Sequence, residues 1–309
     1  MRLLVLIIPF LMTLAAHAQT YDGYLFAYFL GGDTGEQVYY ALSTDGLKYK
    51  ALNGSRPVVH AEEVSTSGGV RDPHILRTHH GSYYMTLTDL KTKAMGWQNT
   101  AMVLLRSKDL ITWESSVVDI ATEFPDQFGD VTRVWAPQTI YDDEKDSYLV
   151  YWSMLQPGGK DILYYAYANE SFTALQTTPK VLLNHDAACI DGDIVKKDGR
   201  YYLFFKNEDQ GEKGLLMASS STLTSGYEVH DRYVDQSDWD VEGGCVFQLI
   251  DQSGYILMYD VYRRGQYEFC KTEDFITFEV IAGEMDFKPR HGTVIPITAE
   301  EMTRLQKQY

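Results

Sequence analysis

The chain has 309 residues, of which 45% are hydrophobic and 23% charged, and this balance excludes an intrinsically disordered protein. Its formal net charge is −16, so it lacks the basic surface that a nucleic-acid-binding protein needs. Aromatic residues make up 13% of the chain, which favours a fold rich in β-strands.

The first 18 residues have the pattern of a secretory signal peptide. Arg2 supplies the positive start, residues 3–15 form an apolar run, and Ala16-His17-Ala18 is a cleavage sequence. The apolar run is shorter than the roughly 20 residues that a membrane-spanning helix requires, and no later segment is long and apolar enough to span. We therefore expect a protein exported to the periplasm or the exterior, cleaved near Ala18, with residues 19–309 forming one domain.

Five short segments recur along the chain, and each is predicted to open a β-strand. In each segment an unusual residue is followed by Pro or Gly. Repeats of this length indicate stacked or radial architectures. The segments are 71–76, 135–140, 190–195, 241–246 and 290–295, with the unusual residues at positions 72, 136, 191, 242 and 291.

An aromatic-rich second strand is predicted after each of the first four segments, at 83–87, 148–152, 201–205 and 255–259. The fifth segment lies close to the C-terminus, and its missing strands match residues 24–29 and 37–43 at the N-terminus. This predicts an all-β, five-bladed β-propeller closed by pairing of N- and C-terminal strands in one blade. A β-sandwich with coincidental spacing is the alternative. Residues 298–301 resemble a capping box, which predicts a short final helix.

The first strand of each propeller blade lines the central axis, so equivalent positions of the repeats should meet at one mouth. Those positions hold Asp72, Asp191, Glu242 and His291, with Ala136 in the remaining blade. Like charges crowded into a concave site separate in pKa, and such crowding indicates function. Glycoside hydrolysis needs one protonated and one ionised carboxyl group, and a third carboxylate can tune the acid.

These motifs, in this order, resemble glycoside hydrolase family 43. The resemblance implies an inverting enzyme in which Asp72 is the general base, Asp191 tunes and orients the acid, and Glu242 is the general acid. It also implies an exo-acting pentosidase that releases L-arabinofuranose or D-xylose from plant polysaccharide side chains or oligosaccharides. No cofactor is required, although His291 resembles a histidine that helps some members hold an axial metal ion or water. The motifs are Asp72-Pro73, Trp135-Ala136-Pro137, Ile190-Asp191, Glu242-Gly243 and Arg290-His291-Gly292.

Several residues beside these motifs are candidates for substrate binding. Gln138 stands where many family members carry an acidic residue, which predicts altered substrate contacts. Asp193 lies two residues after Asp191, on the same face of a regular strand, and is a rival for the tuning role. Loops 91–100 and 225–239 should set the sugar and the linkage. The substrate-binding candidates are His291, Trp135, Arg71, His74, Gln138 and Arg290.

Other functions stay open from the sequence. The Arg71-Asp72-Pro73 triplet also resembles a motif of retaining fructan-cleaving propellers, and an endo-arabinanase or a non-catalytic sugar-binding propeller would carry similar repeats. The acidic net charge favours a neutral glycan as the partner over an anionic one. The sequence gives no indication of the oligomeric state.

Overall fold

The computed structural model describes residues 19–208 and 214–309. The predicted signal peptide, residues 1–18, therefore lies outside the described residues. Five separate β-sheets account for the strands. Among the described helices, none has both the length and the apolar character that a membrane crossing requires.

The chain runs through the sheets in order and returns to the first. It begins in the closing blade with β1 (Gly23–Tyr28), β2 (Tyr39–Ser43) and β3 (Lys48–Ala51). Blade 1 contains β4 (Val70–Arg77), β5 (Tyr83–Asp89), β6 (Ala101–Ser107) and β7 (Glu114–Asp119). Blade 2 contains β8 (Arg133–Asp142), β9 (Ser147–Leu155), β10 (Ile162–Tyr167) and β11 (Lys180–Leu183).

Blade 3 contains β12 (Cys189–Lys197), β13 (Arg200–Asn207), β14 (Leu215–Ser220) and β15 (Glu228–Val229). Blade 4 contains β16 (Glu242–Gln248), β17 (Tyr255–Val261), β18 (Gln266–Thr272) and β19 (Glu279–Ile281). The closing blade is completed by β20 (Glu284–Met285) and β21 (Gly292–Ile297). The helices are short: α1 (Ala61–Val64), α2 (Thr92–Met95), α3 (Ile120–Glu123), α4 (Pro125–Phe128), α5 (Ala299–Gln308) and a 3₁₀ turn at Asn53–Ser55.

The five first strands form a ring. Going round it, β21 contacts β4, β4 contacts β8, β8 contacts β12, β12 contacts β16, and β16 contacts β21. In the closing blade, β21 pairs antiparallel with β1, so that Gly292 is opposite Tyr28 and Ile297 is opposite Gly23. The predicted five-bladed propeller, closed by strands from both ends of the chain, is confirmed.

The core lies between the blades, because each sheet is apolar on both faces. Five clusters of buried side chains each join two neighbouring sheets. Between the closing blade and blade 1, for example, Leu25 and Ile295 pack with Ile75 and Leu105. Such two-sided burial explains why the second strands are continuous apolar runs rather than alternating ones.

The final helix α5 begins at the predicted capping box. The Thr298 hydroxyl accepts a hydrogen bond from the Glu301 backbone N–H at 3.2 Å, and the Glu301 carboxylate accepts one from the Thr298 N–H at 2.8 Å. The same carboxylate pairs with Arg77 of β4, at 2.6 and 2.7 Å. Helix α5 therefore fastens the closing blade to blade 1.

Candidate active site

A β-bulge interrupts the first strand of each of blades 1 to 4, near the strand's beginning. The pairing register with the second strand shifts at this point in β4, β8, β12 and β16. One residue in each bulge has a positive φ: 53° at Asp72, 46° at Ala136, 54° at Asp191 and 60° at Gly243. Bulges re-aim side chains beside functional sites, and here they bring polar side chains to the end of the axis.

The bulges also show that the alignment of the repeats made from the sequence is wrong by one residue in blade 4. Gly243, not Glu242, is the counterpart of Asp72, Ala136 and Asp191, so Glu242 is equivalent to Arg71. Glycine is required at position 243, because a Cβ there would lie 2.8 Å from the His291 Cβ. Glu242 still reaches the axis, but from one position earlier in its strand.

A cavity of about 290 Å³ lies at this end of the ring. It contains all three carboxylates predicted to be catalytic. Four of the six predicted substrate-binding residues also line it. The lining residues are Arg71, Asp72, Thr88, Leu90, Trp97, Trp135, Ile190, Asp191, Glu242, Tyr262, Arg290 and His291.

Asp72 and Asp191 both lie beside the Nδ1 of His291. The His291 Nδ1 lies 3.7 Å from the Oδ1 of Asp72 and 3.7 Å from the Oδ1 of Asp191, which is longer than a hydrogen bond. The other oxygen of Asp72 accepts a hydrogen bond from the Thr88 hydroxyl at 2.7 Å. The other oxygen of Asp191 accepts one from the Gly243 N–H at 3.0 Å.

The three side chains differ in proton affinity because their surroundings differ. Burial disfavours ionised Asp72, but His291 and Arg71 outweigh it and lower the pKa of that carboxyl group. Burial raises the pKa of Asp191 to about 6, and the charges of Glu242 and Asp72 add to the rise. Burial disfavours the charged His291 ring, yet the carboxylates of Asp191 and Asp72 raise its pKa to about 9. Near neutral pH, the Asp72 carboxyl group is therefore ionised and the His291 ring is protonated.

Glu242 is contacted by two cations. The Lys206 ammonium lies 3.1 Å from its Oε2, and Arg290 donates a hydrogen bond to its Oε1. Arg290 also pairs with Asp260, whose pKa burial raises to about 7. The Glu242 carboxylate is therefore attracted by two cations and repelled by the charge of Asp191, and it is 19% exposed at the cavity.

Arg71 and Trp135, both predicted to bind substrate, lie in the cavity wall with partners of their own. Arg71 pairs with Glu36 at 3.2 Å. Its guanidinium lies 5.2 Å from the ring centroid of Trp97, and the Trp97 and Trp135 rings meet edge-on at 6.1 Å. Trp97 comes from the 91–100 loop, which was expected to contribute to specificity, and it is 56% exposed.

His74 and Gln138 do not line the cavity, so the structure does not support a direct substrate contact for either. Both side chains are buried below it. The His74 Nδ1 accepts a hydrogen bond from the Thr139 N–H at 3.2 Å, and the Gln138 Oε1 accepts one from the Tyr151 hydroxyl at 2.8 Å. They lie two residues beyond the bulged positions, where the strands have passed the mouth.

Asp193 also lies outside the cavity wall. Its Oδ2 accepts a hydrogen bond from the Val246 N–H of the next blade at 2.7 Å, and burial raises its pKa to about 7. A regular strand would place Asp191 and Asp193 on the same face, but the bulge at Asp191 breaks this alternation. The geometry therefore favours Asp191 over Asp193 as the carboxylate that acts beside Glu242.

Thr88 is a site residue that the sequence reasoning missed. Its hydroxyl accepts a hydrogen bond from the Ala136 N–H of blade 2 at 2.7 Å and donates one to Asp72 at 2.7 Å. Lys206, Trp97 and Tyr262 were also missed. Thr88 and Lys206 lie in second strands, whose apolar runs suggest only core.

We expect Thr88→Val to lower kcat about tenfold, because Asp72 loses a hydrogen bond to its charged form. It should also lower the free energy of unfolding by about 1–3 kcal/mol, because the Ala136 N–H loses its acceptor. Thr86→Val is the matched control: Thr86 donates to the Pro137 carbonyl of blade 2 and is not among the cavity residues. Kinetics and urea denaturation of both variants check this, and a similar loss of kcat in both would contradict it.

A directly coordinated metal ion does not fit this site. Within residues 19–208 and 214–309, no three or more His, Cys, Asp or Glu side chains are placed to hold one. The His291 Nδ1 lies 3.7 Å from a carboxylate oxygen of both Asp72 and Asp191. The positive charge of the protonated ring therefore balances the negative charge of these carboxylates.

The fold is shared with carbohydrate-active propellers. An α-L-arabinofuranosidase from Clostridium thermocellum is 12% identical, with a TM-score of 0.63 over 89% of this chain and 93% of that one. An α-L-arabinanase from Cellvibrio cellulosa, solved with arabinohexaose, is 16% identical, with a TM-score of 0.61 over 87% and 96%. A xylan β-1,4-xylosidase from Bacillus halodurans is 14% identical, with a TM-score of 0.63 over 89% and 56%.

The sequence comparisons identify the family. An α-L-arabinofuranosidase from Bifidobacterium longum is 26% identical in an alignment of 225 positions, which covers 65% of this chain and only 21% of that protein. Residues 19–303 match the family profile described as a probable glycosyl hydrolase domain related to glycoside hydrolase family 43. The match spans every blade of the propeller and every carboxylate of the cavity, and the chain belongs to this glycoside hydrolase 43-related family.

Proposed function

We propose that this protein is an inverting exo-glycosidase that releases L-arabinofuranose or D-xylose from plant polysaccharide side chains or oligosaccharides. The observation that carries the proposal is the convergence of Asp72, Asp191 and Glu242, from three blades, on one cavity. Its volume of about 290 Å³ is at the lower end for ligand pockets, which suits one terminal sugar better than an internal stretch of polymer.

In the proposed reaction, Asp72 accepts a proton from a water molecule as that water attacks the anomeric carbon. The bond between this carbon and the glycosidic oxygen breaks, and the oxygen takes a proton from Glu242. Asp72 suits the base role because its pKa is lowered and it stays ionised. Asp191 suits the tuning role because its charge repels that of Glu242 and so opposes Lys206 and Arg290.

Arg71, Arg290, His291 and Trp135 complete the proposal as the walls of the sugar site. The proposal also includes export of the protein from the cytoplasm, because residues 1–18 have the pattern of a signal peptide. The relatives that bear on the choice of sugar are the arabinofuranosidase and xylosidase named above.

The test is hydrolysis of p-nitrophenyl α-L-arabinofuranoside and p-nitrophenyl β-D-xyloside, followed by proton NMR of the first product. We expect turnover of at least one substrate with inversion, so that β-L-arabinofuranose or α-D-xylose appears before mutarotation. Retention of configuration would favour the retaining alternative. Turnover of internally linked arabinan without release of monosaccharide would favour endo action.

A further inference from the structure

Trp239 is a large exposed apolar side chain near the cavity wall, because its partner Arg264 lies two positions after Tyr262 of that wall. It lies in the loop before β16 and is 53% exposed. Trp239 lies three positions before Glu242, and three steps of extended chain span at most about 10 Å between the two Cα atoms. Trp239 is therefore within one or two sugar lengths of the carboxyl group that protonates the leaving oxygen in the proposed function.

The exposure of Trp239 does not result from a loose loop. The Gln236 N–H donates to the Tyr259 hydroxyl at 3.0 Å, and the Asp235 carboxylate accepts from the Leu215 N–H at 2.8 Å. Asp240 pairs with Arg263 at 3.2 Å. The segment before Trp239 is thus fixed to strands of blades 3 and 4, and the residue after it to the turn between β17 and β18.

One face of the indole is already covered. The Arg264 guanidinium lies 4.1 Å from the centre of the Trp239 ring, a cation–π contact that fixes the ring orientation. More than half of the residue is still exposed, so the opposite face is open to solvent. A rigid indole with one open face beside a polar pocket matches the apolar C–H face of a sugar ring.

We propose that Trp239 is the platform of a leaving-group subsite, which binds a sugar residue on the far side of the bond that is cleaved. The inference rests on the proposed function, in which Glu242 protonates the leaving oxygen and so marks the leaving-group side. It identifies the substrate class as a pentosyl unit attached to an oligosaccharide or polysaccharide chain. A pentoside of a small alcohol has no second sugar ring that could pack on Trp239.

The test compares kcat/KM for a pentotriose and for the matching methyl pentoside, whose one-carbon leaving group cannot reach Trp239. The two leaving groups are similar alcohols, so the chemical step is comparable. In Trp239→Ala, we expect the ratio of the triose value to the methyl pentoside value to fall about tenfold, mainly through a higher KM for the triose. Trp239→Phe should restore most of the ratio, because phenylalanine keeps a stacking face.

Ile276→Ala is the matched control, since Ile276 is 62% exposed and lies in the turn between β18 and β19. It should leave the ratio unchanged. An unchanged ratio in Trp239→Ala, or an equal fall for both substrates, would overturn the subsite while leaving the proposed function intact. A wild-type protein that hydrolyses neither substrate would overturn the proposed function and this inference together.

Discussion

Replacing Glu242 by glutamine should lower kcat/KM by about 10²–10⁴-fold for pentosides with an alkyl or sugar leaving group, and much less for 2,4-dinitrophenyl pentosides. A glutamine cannot donate the proton that a poor leaving group needs, whereas dinitrophenolate departs without one. Glutamine keeps the shape of Glu242 and leaves Lys206 and Arg290 in place. The measurement is kcat/KM across aryl pentosides of graded leaving-group acidity.

Asp72→Asn is the contrast. Loss of the base impairs the attacking water and not the leaving group, so the same series should fall by about 10²–10⁴-fold with little dependence on the aryl group. Asp191→Asn should show a dependence on the aryl group like that of Glu242→Gln but weaker, because Asp191 acts through Glu242. A loss in Glu242→Gln that is uniform across the series would remove the acid role from Glu242. A dependence in Asp191→Asn that is steeper than that in Glu242→Gln would give the acid role to Asp191, whose pKa of about 6 makes it the natural rival.

Glu301→Gln should destabilise the ring by about 3–5 kcal/mol at pH 7, because it leaves the Arg77 guanidinium nearly buried without its partner. The two side chains are 11% and 9% exposed, and two parallel hydrogen bonds join them. The contact fastens α5 and the closing blade to blade 1. Urea denaturation of wild type and variant measures the effect.

The difference between wild type and Glu301→Gln should depend on pH. Burial raises the pKa of Glu301, but Arg77 outweighs it and lowers the pKa to about 2 from an ordinary value of 4.5. A lowered pKa stabilises the folded state above pH 4.5, and this stabilisation is lost as the pH falls from 4.5 towards 2. The gap between the two proteins should therefore narrow across that interval. Glu300→Gln is the control, since Glu300 is 89% exposed. An equal loss of stability in that variant would contradict the stabilising role of the Glu301–Arg77 pair.

The number of blades and most of the residues at the mouth of the propeller could be predicted from the sequence alone. Repeats spaced by one blade place Asp72 and Asp191 correctly, and a capping box places α5. The one-residue offset at Glu242 could not be predicted, because the blades differ in length and a shift of one residue is hidden within that variation. Thr88 and Lys206 were hidden for a different reason: they lie in second strands that are buried on both faces, where a single polar residue looks like a tolerated exception.

The shared closing blade has a consequence for synthesis. Among the described strands, β1 is synthesised first and its partner β21 last. Until β21 arrives, one edge of β1 has no native partner, and its sequence GYLFAY is uncharged, aromatic and free of proline. Such segments pair readily with other chains when exposed. The closing blade thus leaves an uncharged, aromatic strand edge unpaired until the last strand of the ring has been made.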